Sequence, residues 1–322
     1  MKIPKSVAAD AALVFITLIW ASTFAIVKQC LGQISPVYFI VLRFWIAALA
    51  MVVILPGALR GISLQTLRRG LSLSALLTAG FIFQTLGLRE TTPSRCAFIT
   101  SLSVLLVPLL GFLLIRYRPR KQTLCGVVLA TAGLALLTLN PGELTISKGD
   151  SLTLLCAVAF ALHILLLGRW VLTSDHRQLA VLQVAGTAVV TTLVMPVLET
   201  RFVSWSATLV VYLLATGAVA TAFACYVQIS AQRFTTANRA ALVFSLEPFF
   251  AALFSYLLLG QTLSGKEWLG GTLVLAGIVT SEIRRDNPPA FTPSKEGGVT
   301  REFQGPDKES TGRLEDLEPV AK

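Results

Sequence analysis

Three ionisable side chains stand inside apolar stretches, where a charge near a bilayer centre costs about 2.5 to 3.5 kcal/mol and so usually faces a cavity or a partner. Glu247 lies about seven residues, roughly 10 Å, into the run Ala240 to Leu259. Pro248 follows it, donates no backbone hydrogen bond and frees the carbonyl one turn back, near Phe244. That combination suits a substrate contact, a proton-binding carboxylate or a flexible kink; a structural bond to backbone or to Arg239 is the plainer alternative. Arg43 lies at similar depth after Pro36. It can hold an anionic group, pair with an acid, or snorkel its head to the outer surface. His163, in the middle of another run, suits either a proton relay near neutral pH or a hydrogen-bonded place in the core.

Uncharged groups surround these three. Gln84, Gln183 and Gln228 can line a cavity or bond one helix to another. Trp20 with Ser22 and Thr23 offers an aromatic wall and small polar contacts, against plain helix packing. Pro108, like Pro248, is a hinge candidate. Gly126 and Gly133, and again Gly270 and Gly277, fall two turns apart and read as close helix packing rather than chemistry. Neither a metal set nor a cofactor is implied. His163 and His176 are too few and too isolated, and Cys30, Cys96, Cys125, Cys156 and Cys225 are scattered without a CxxC pair.

The elements that must position these residues are set by composition. With 54% of 322 residues apolar, 14% charged and a mean hydropathy of +0.73, the chain lacks the polar surface a soluble globule of this size needs. Lipid is its expected solvent. Apolar runs of roughly 17 to 25 residues, long enough to cross a hydrocarbon core, number about ten. They are Ala8 to Val27, Pro36 to Leu55, Leu71 to Leu88, Ala97 to Ile115 and Thr123 to Leu139, then Leu152 to Gly168, Leu179 to Leu198, Ala207 to Ile229, Ala240 to Leu259 and Trp268 to Ile283. Such continuous runs exclude an alternating β-barrel and predict an all-α membrane protein. The first run reads as a retained helix rather than a cleaved signal peptide. Residues 286–322, rich in Pro, Gly, Lys, Asp and Glu, read as a disordered cytoplasmic tail.

The net charge of +10 follows topology and predicts no nucleic-acid partner. With the N-terminus inside, the cytoplasmic segments hold Lys2, Lys5, Arg60, Arg68, Arg69, the Arg116 to Lys121 turn, Arg169, Arg177, Arg233, Arg239, Arg284 and Arg285, while the outer ones hold only Lys28, Arg89, Arg95, Lys148, Arg201 and Lys266. The positive-inside rule then places both termini in the cytoplasm of a multi-pass plasma-membrane protein.

The chain also repeats itself. TTPSRCAFITSL from Thr91 meets TTANRAALVFSL from Thr235 at an offset of 144 residues, which also matches Gln84 with Gln228 and Gly133 with Gly277. Earlier in each half the offset is 140, matching Asp10 with Asp150 and Arg43 with Gln183. The halves, 8–140 and 149–283, are therefore expected to be duplicated five-helix repeats. An odd number of helices forces the second copy to run inverted. The charges agree: the cation-rich Arg116 to Lys121 turn has a counterpart, Gly260 to Gly265, with none. Inverted repeats are a mark of secondary transporters.

Ile19-Trp20-Ala21-Ser22-Thr23-Phe24, Arg43 after Pro36, Pro108, Gly149-Asp150, Leu246-Glu247-Pro248-Phe249-Phe250-Ala251-Ala252-Leu253 and the four glycines carry a resemblance to the EamA family of the drug/metabolite transporter superfamily. It spans Asp10 to Ile283 and implies two five-helix repeats and export of an organic metabolite or amphipathic compound. One departure stands out: where the family commonly carries Gly-Glu after the fourth and ninth helices, this chain has Arg116-Tyr117 and Gly260-Gln261. The expected partners are the lipid bilayer and a small-molecule substrate, with protons and a second copy of the chain as further candidates. A membrane scaffold or receptor is the competing class. An intramembrane enzyme is disfavoured, because Gly-x-Gly-Asp and Gly-x-Ser-x-Gly are both absent. Without a Walker motif, ATP is not the expected energy source.

Overall fold

The computed structural model describes residues 4–116, 119–138, 147–251, 253 and 264–282. The expected tail over 286–322 lies outside the described residues, as do Tyr117, Gly260-Gln261 and the outer ends of the two expected repeats at 139–140 and 283. The described chain is helical, with one isolated antiparallel bridge between Ile34 and Val203. In order the helices are α1 (Lys5–Cys30), α2 (Pro36–Ile54), α3 (Leu64–Glu90), α4 (Pro93–Ser101), α5 (Ser103–Ile115), α6 (Lys121–Thr138), α7 (Lys148–Trp170), α8 (His176–Leu198), α9 (Ala207–Leu214), a π-helical stretch (Ala215–Phe223), α10 (Ala224–Gln232), α11 (Ala237–Phe244) and α12 (Gly265–Glu282).

Local chemistry sets the boundaries. Pro36 and Pro93 open helices where their missing N–H is not needed. Ser63 caps α3 by accepting from the Thr66 amide at 3.1 Å. The helix therefore begins well before the apolar run expected from Leu71, because its first turns carry Arg68 and Arg69. α8 likewise starts at His176 under an Asp175 cap, ahead of the expected Leu179.

Seven helices are long and apolar enough to cross a membrane, counting Pro93–Leu114 and Ala207–Gln232 as single spans. Lys121–Leu136 and Trp268–Thr280 are shorter apolar helices. The sequence expectation of about ten crossings thus meets seven full-length helices among the described residues; the expected run Ala240 to Leu259 lies partly beyond them.

Polarity is distributed as lipid solvation demands. Val53 is 79% exposed and Val197 86%, an outward apolar surface that water would not tolerate over so many helices. Arg43, His163, Gln183, Gln228 and Glu247 are instead buried. Several buried hydroxyls satisfy themselves on their own helix: Thr17 donates to the Leu13 carbonyl at 2.7 Å and Thr153 to that of Gly149 at 2.8 Å.

Helices that precede residue 139 interleave with helices that follow residue 146. α3 lies along α7 and α8, α2 along α8 and the π-helical stretch, α1 along α10, and α6 makes the most extensive contact of all with α12. The last pairing depends on glycine. A Cβ on Gly133 would meet the Gly270 carbonyl oxygen at 2.5 Å, and one on Gly277 would meet the Gly126 carbonyl oxygen at 2.5 Å. The spacing read from the sequence as close packing is a reciprocal backbone contact. Gly133→Val and Gly277→Val should each destabilise the protein in detergent by about 1 to 3 kcal/mol, the usual cost of overpacking, as a lowered thermal unfolding midpoint. Gly265→Ala, where nothing lies within 4 Å, should leave the midpoint unchanged.

Candidate functional site

The fourth long helix is broken at Leu102, between α4 and α5. At the 144-residue offset, the helix of α11 is broken at Ser245–Leu246 before resuming through Glu247. Pro248 stands just after the second break, whose Leu246 amide bonds the Val243 carbonyl at 3.1 Å instead of continuing the α pattern. Pro108, the other hinge candidate, sits within the continuous α5, and the interruption falls earlier, among Ser101, Leu102 and Ser103. Both breaks border one cavity of about 80 Å³, room for several waters.

Most of the wall of that cavity is built in matched pairs, Leu77 and Ser101 being the lining residues of α3 and α4 whose matches stand off it. At the 140-residue offset Trp20 pairs with Phe160, Thr23 with His163, and Phe24 with Ile164. At the 144-residue offset Phe81 pairs with Cys225 and Gln84 with Gln228. Thr100 likewise pairs with Phe244, and Ser103 with Glu247. Arg43 lines the cavity too, whereas its match, Gln183, stands behind the wall.

Each candidate has a defined place. Arg43 is buried at 4% exposure, its Nε donating to Thr221 Oγ1 at 2.7 Å and its guanidinium carbon 4.7 Å from the centre of the Phe81 ring. Surface snorkelling is thereby ruled out. Phe81 is itself held edge-on between Phe44 at 4.9 Å and Phe160 at 5.4 Å. Glu247 is buried and faces the cavity, and among the described residues no hydrogen bond or ion pair holds it. Arg239, offered by the sequence as its structural partner, bonds Asp10 instead. His163 Nε2 and Gln183 Oε1 are 2.8 Å apart, so the ring nitrogen donates to the amide oxygen. Gln84 Nε2 reaches Thr100 Oγ1 at a long 3.4 Å, and Gln228 faces the cavity.

Trp20 stacks edge-to-face on Phe244 at 5.2 Å and donates its indole N–H to the Ala220 carbonyl at 2.8 Å. That carbonyl belongs to the π-helical stretch, whose wider turns leave carbonyls for side chains to claim. Gly217 allows it: a Cβ there would strike Ile46 and the Arg43 carbonyl. Thr221 is therefore held between a bond to Thr216 at 2.8 Å and the Arg43 Nε. Ser22, a candidate from the same motif as Trp20, faces away; it is exposed and bonds the Ile19 carbonyl. No sequence signal marks the π-helical stretch beyond its run of small residues.

Two further ion pairs, which sequence reasoning did not assemble, lie at the helix ends. Asp150 accepts Arg95 through both oxygens, Nε at 2.8 Å and Nη2 at 2.8 Å, with Thr91 Oγ1 at 3.2 Å. It also closes a capping box with Ser147. Asp10 accepts Arg239 Nη2 and Thr235 Oγ1. Asp10, Thr235 and Arg239 match Asp150, Thr91 and Arg95 at the repeat offsets, so the acid–base–hydroxyl motif is used twice; the Ser147 cap has no counterpart, its matched position being Val7. The Asp10 cluster shares an end of the bundle with the Arg69 contacts to Thr173 and Ser174. The Asp150 cluster shares the other end with the Lys28 bonds to the Leu88 and Thr91 carbonyls.

A family model for the EamA-like transporter family matches residues 8–139 and 147–281. An uncharacterized transporter of Archaeoglobus fulgidus is 31% identical over 280 residues, covering 87% of each chain. A second uncharacterized transporter of that organism is 27% identical over 271 residues, covering 81% of this chain and 92% of the relative. A solved crystal structure superposes on 85% of this chain and 97% of its own with a TM-score of 0.69 at 18% identity, a likeness of fold alone. The chain belongs to the EamA-like transporter family and is a multi-pass membrane protein.

The equivalence of the two end clusters has a measurable consequence. Removing one charge of a partly buried pair leaves the other uncompensated, at a cost between the about 1 kcal/mol of exposed pairs and the roughly 3 to 5 of buried ones. Asp10→Asn and Asp150→Asn should therefore lower the unfolding midpoint to a similar degree. The swap Asp10→Arg with Arg239→Asp should recover part of the loss relative to either single change.

Proposed function

We propose that this chain is a secondary transporter that moves a small organic solute by alternating access between two inverted five-helix repeats, 8–140 and 149–283. On this reading ten helices cross the plasma membrane, both termini are cytoplasmic and the tail from residue 286 is a disordered cytoplasmic extension. Transport runs outward from the cytoplasm, in keeping with the resemblance to exporters. The observation that carries the reading is the matched wall of the cavity, to which both halves contribute equivalent residues. A binding chamber between inverted copies needs no separate gate for each side, since the same contacts can be made at either end in turn. The Asp10–Arg239 and Asp150–Arg95 clusters suit that exchange, each closing one end of the bundle.

Arg43, Glu247, Gln84, Gln228 and Trp20 contact the solute in this proposal. His163 is set by Gln183, and Glu247 takes up the coupling proton when its head is protonated. Pro248 and the breaks at Leu102 and Ser245–Leu246 supply local give. Gly126, Gly133, Gly270 and Gly277 hold the closing helices of the two repeats together.

Solute counterflow in proteoliposomes, run against a broad metabolite panel with and without a pH gradient, tests this reading. Accumulation of labelled solute against preloaded unlabelled solute is expected. Folded, inserted protein that gives none with any solute points to a scaffold or receptor. Glu247→Gln should slow counterflow about tenfold, equivalent to roughly 1.4 kcal/mol, and flatten its pH profile. An unchanged rate and profile would remove the carboxylate from coupling.

A further inference from the structure

We infer that the corner where α3 meets the turn between α7 and α8 binds an anionic phospholipid, with Arg68, Arg69 and Arg169 on its phosphate and Leu64, Leu71 and Leu172 against its chains. The inference needs a membrane around the bundle and stands apart from the transport reading.

Arg69 is the built part of the site. Its half-buried side chain crosses from α3 to the turn after α7, where Nη1 donates to the Ser174 hydroxyl at 2.7 Å, the Thr173 hydroxyl at 3.0 Å and the Thr173 carbonyl at 3.2 Å. All three acceptors are uncharged, so the guanidinium is fixed in place with its charge uncompensated. Nε and Nη2 make no hydrogen bond among the described residues. Such a guanidinium keeps donors for phosphate oxygens. Arg169, in the last turn of α7, stands near enough for its charge to act on that of Arg69. Neither its head nor that of Arg68 has a hydrogen bond or ion pair among the described residues, and both residues are exposed. Like charges gathered in this way repel, and an anion among them relieves the repulsion. The acid of the same turn, Asp175, is engaged elsewhere, capping α8 through the Arg177 amide at 2.7 Å.

The apolar neighbours decide which anion fits. Leu64, Arg68 and Leu71 follow at spacings of four and three residues, on one face of α3. That face points outward, Leu64 being 62% exposed and Leu71 50%. Leu172, on the turn that receives Arg69, is exposed as well. A free phosphate gains nothing from these leucines, whereas a phospholipid presents its phosphate and its chains together. The repeat supplies an internal comparison. At the matched positions of the other end, Arg68, Arg69 and Arg169 give way to Tyr212, Leu213 and Gln29. A buried leucine serves the fold where Arg69 stands, so the arginine answers another need. Charge bias alone asks for cations in the connecting loops, not for one drawn across two elements at the rim. On the proposed topology this end faces the cytoplasm, where anionic lipids attract basic segments.

Native mass spectrometry of the purified full chain in detergent, titrated with dioleoyl phosphatidylglycerol or dioleoyl phosphatidylcholine, tests the site. Phosphatidylglycerol should bind more tightly than phosphatidylcholine, whose headgroup has no net charge. Arg69→Gln and Arg169→Gln should each weaken phosphatidylglycerol binding about fivefold, the usual contribution of one cation at an anionic membrane surface, and leave phosphatidylcholine unchanged. Lys121→Gln removes a cation of the same expected face from α6, which packs along α12, and should change neither. Should Arg69→Gln fail to fold, the exposed Arg68→Gln and Arg169→Gln carry the comparison. Equal binding of the two lipids overturns the inference, as does a loss in Lys121→Gln equal to that in the corner variants, which is diffuse attraction. Thermal unfolding separates lipid from free anion: phosphatidylglycerol should raise the midpoint, and inorganic phosphate at the same ionic strength should not. A rise with phosphate that Arg169→Gln removes would assign the corner to a soluble anion and defeat the lipid.

Discussion

Hydrocarbon offers no hydrogen bonds and no counter-ions, so every polar group carried into this bundle must be satisfied by the chain or by what its cavity holds. Most are satisfied locally. Threonines bond the carbonyl a turn behind them, Trp20 takes a carbonyl that the π-helical stretch releases, and the four end residues Asp10, Arg239, Asp150 and Arg95 neutralise each other across helices. Some buried polar atoms, among them the Ser74, Thr78 and Ser230 hydroxyls and the Asn238 amide, have no hydrogen-bond partner among the described residues. Among the described residues Arg43 and Glu247 are ionisable groups buried without an ion pair, and both open on the same chamber.

The same constraint explains why the two halves interleave instead of forming separate bodies. Helices from one part of the chain alone would have to expose Gln84, Arg43 or Glu247 to lipid; packed against those of the other, they turn these residues toward a shared interior. Close approach then depends on backbone rather than on side chains, as the reciprocal contacts of Gly133 with Gly270 and of Gly277 with Gly126 indicate. On the proposed transport reading, chamber walls made of equivalent positions would let the bundle take two arrangements of similar energy, which alternation requires. Charge at Arg43 and Glu247 breaks the equivalence only where a solute would be held.

Much of this was legible in the residues. The intramembrane Glu247-Pro248 and Arg43 stood out because ionisable groups in apolar runs are costly, and both line the chamber. The offset of 144 residues pointed to Gln84 and Gln228, which both line the chamber. Other features were hidden for physical reasons. Hydropathy scanning undercounts helices whose first turns are polar, so α3 and α8 began earlier than the apolar runs suggested. Ser22 and Trp20 share a motif, yet helical geometry turns one outward and the other into the wall. The pairs Asp10–Arg239 and Asp150–Arg95 join residues far apart in sequence. Their signal was present all the same, as an acid and a base each matched at the repeat offsets. The π-helical stretch and the rotation of Gln183 toward His163 depend on tertiary packing that no local pattern encodes.

The central claim is that the two ends of the bundle open in alternation around one chamber. Distances between spin labels test it most directly, with Cys125, the exposed natural cysteine, replaced by Ser. One label pair at Ala8 and Arg233 spans the end closed by Asp10 and Arg239; another at Arg89 and Ser151 spans the end closed by Asp150 and Arg95. The account predicts opposed behaviour across solute and pH conditions, one distance lengthening while the other stays short. Simultaneous lengthening at both ends, or distances that never change under conditions that support counterflow, would contradict it.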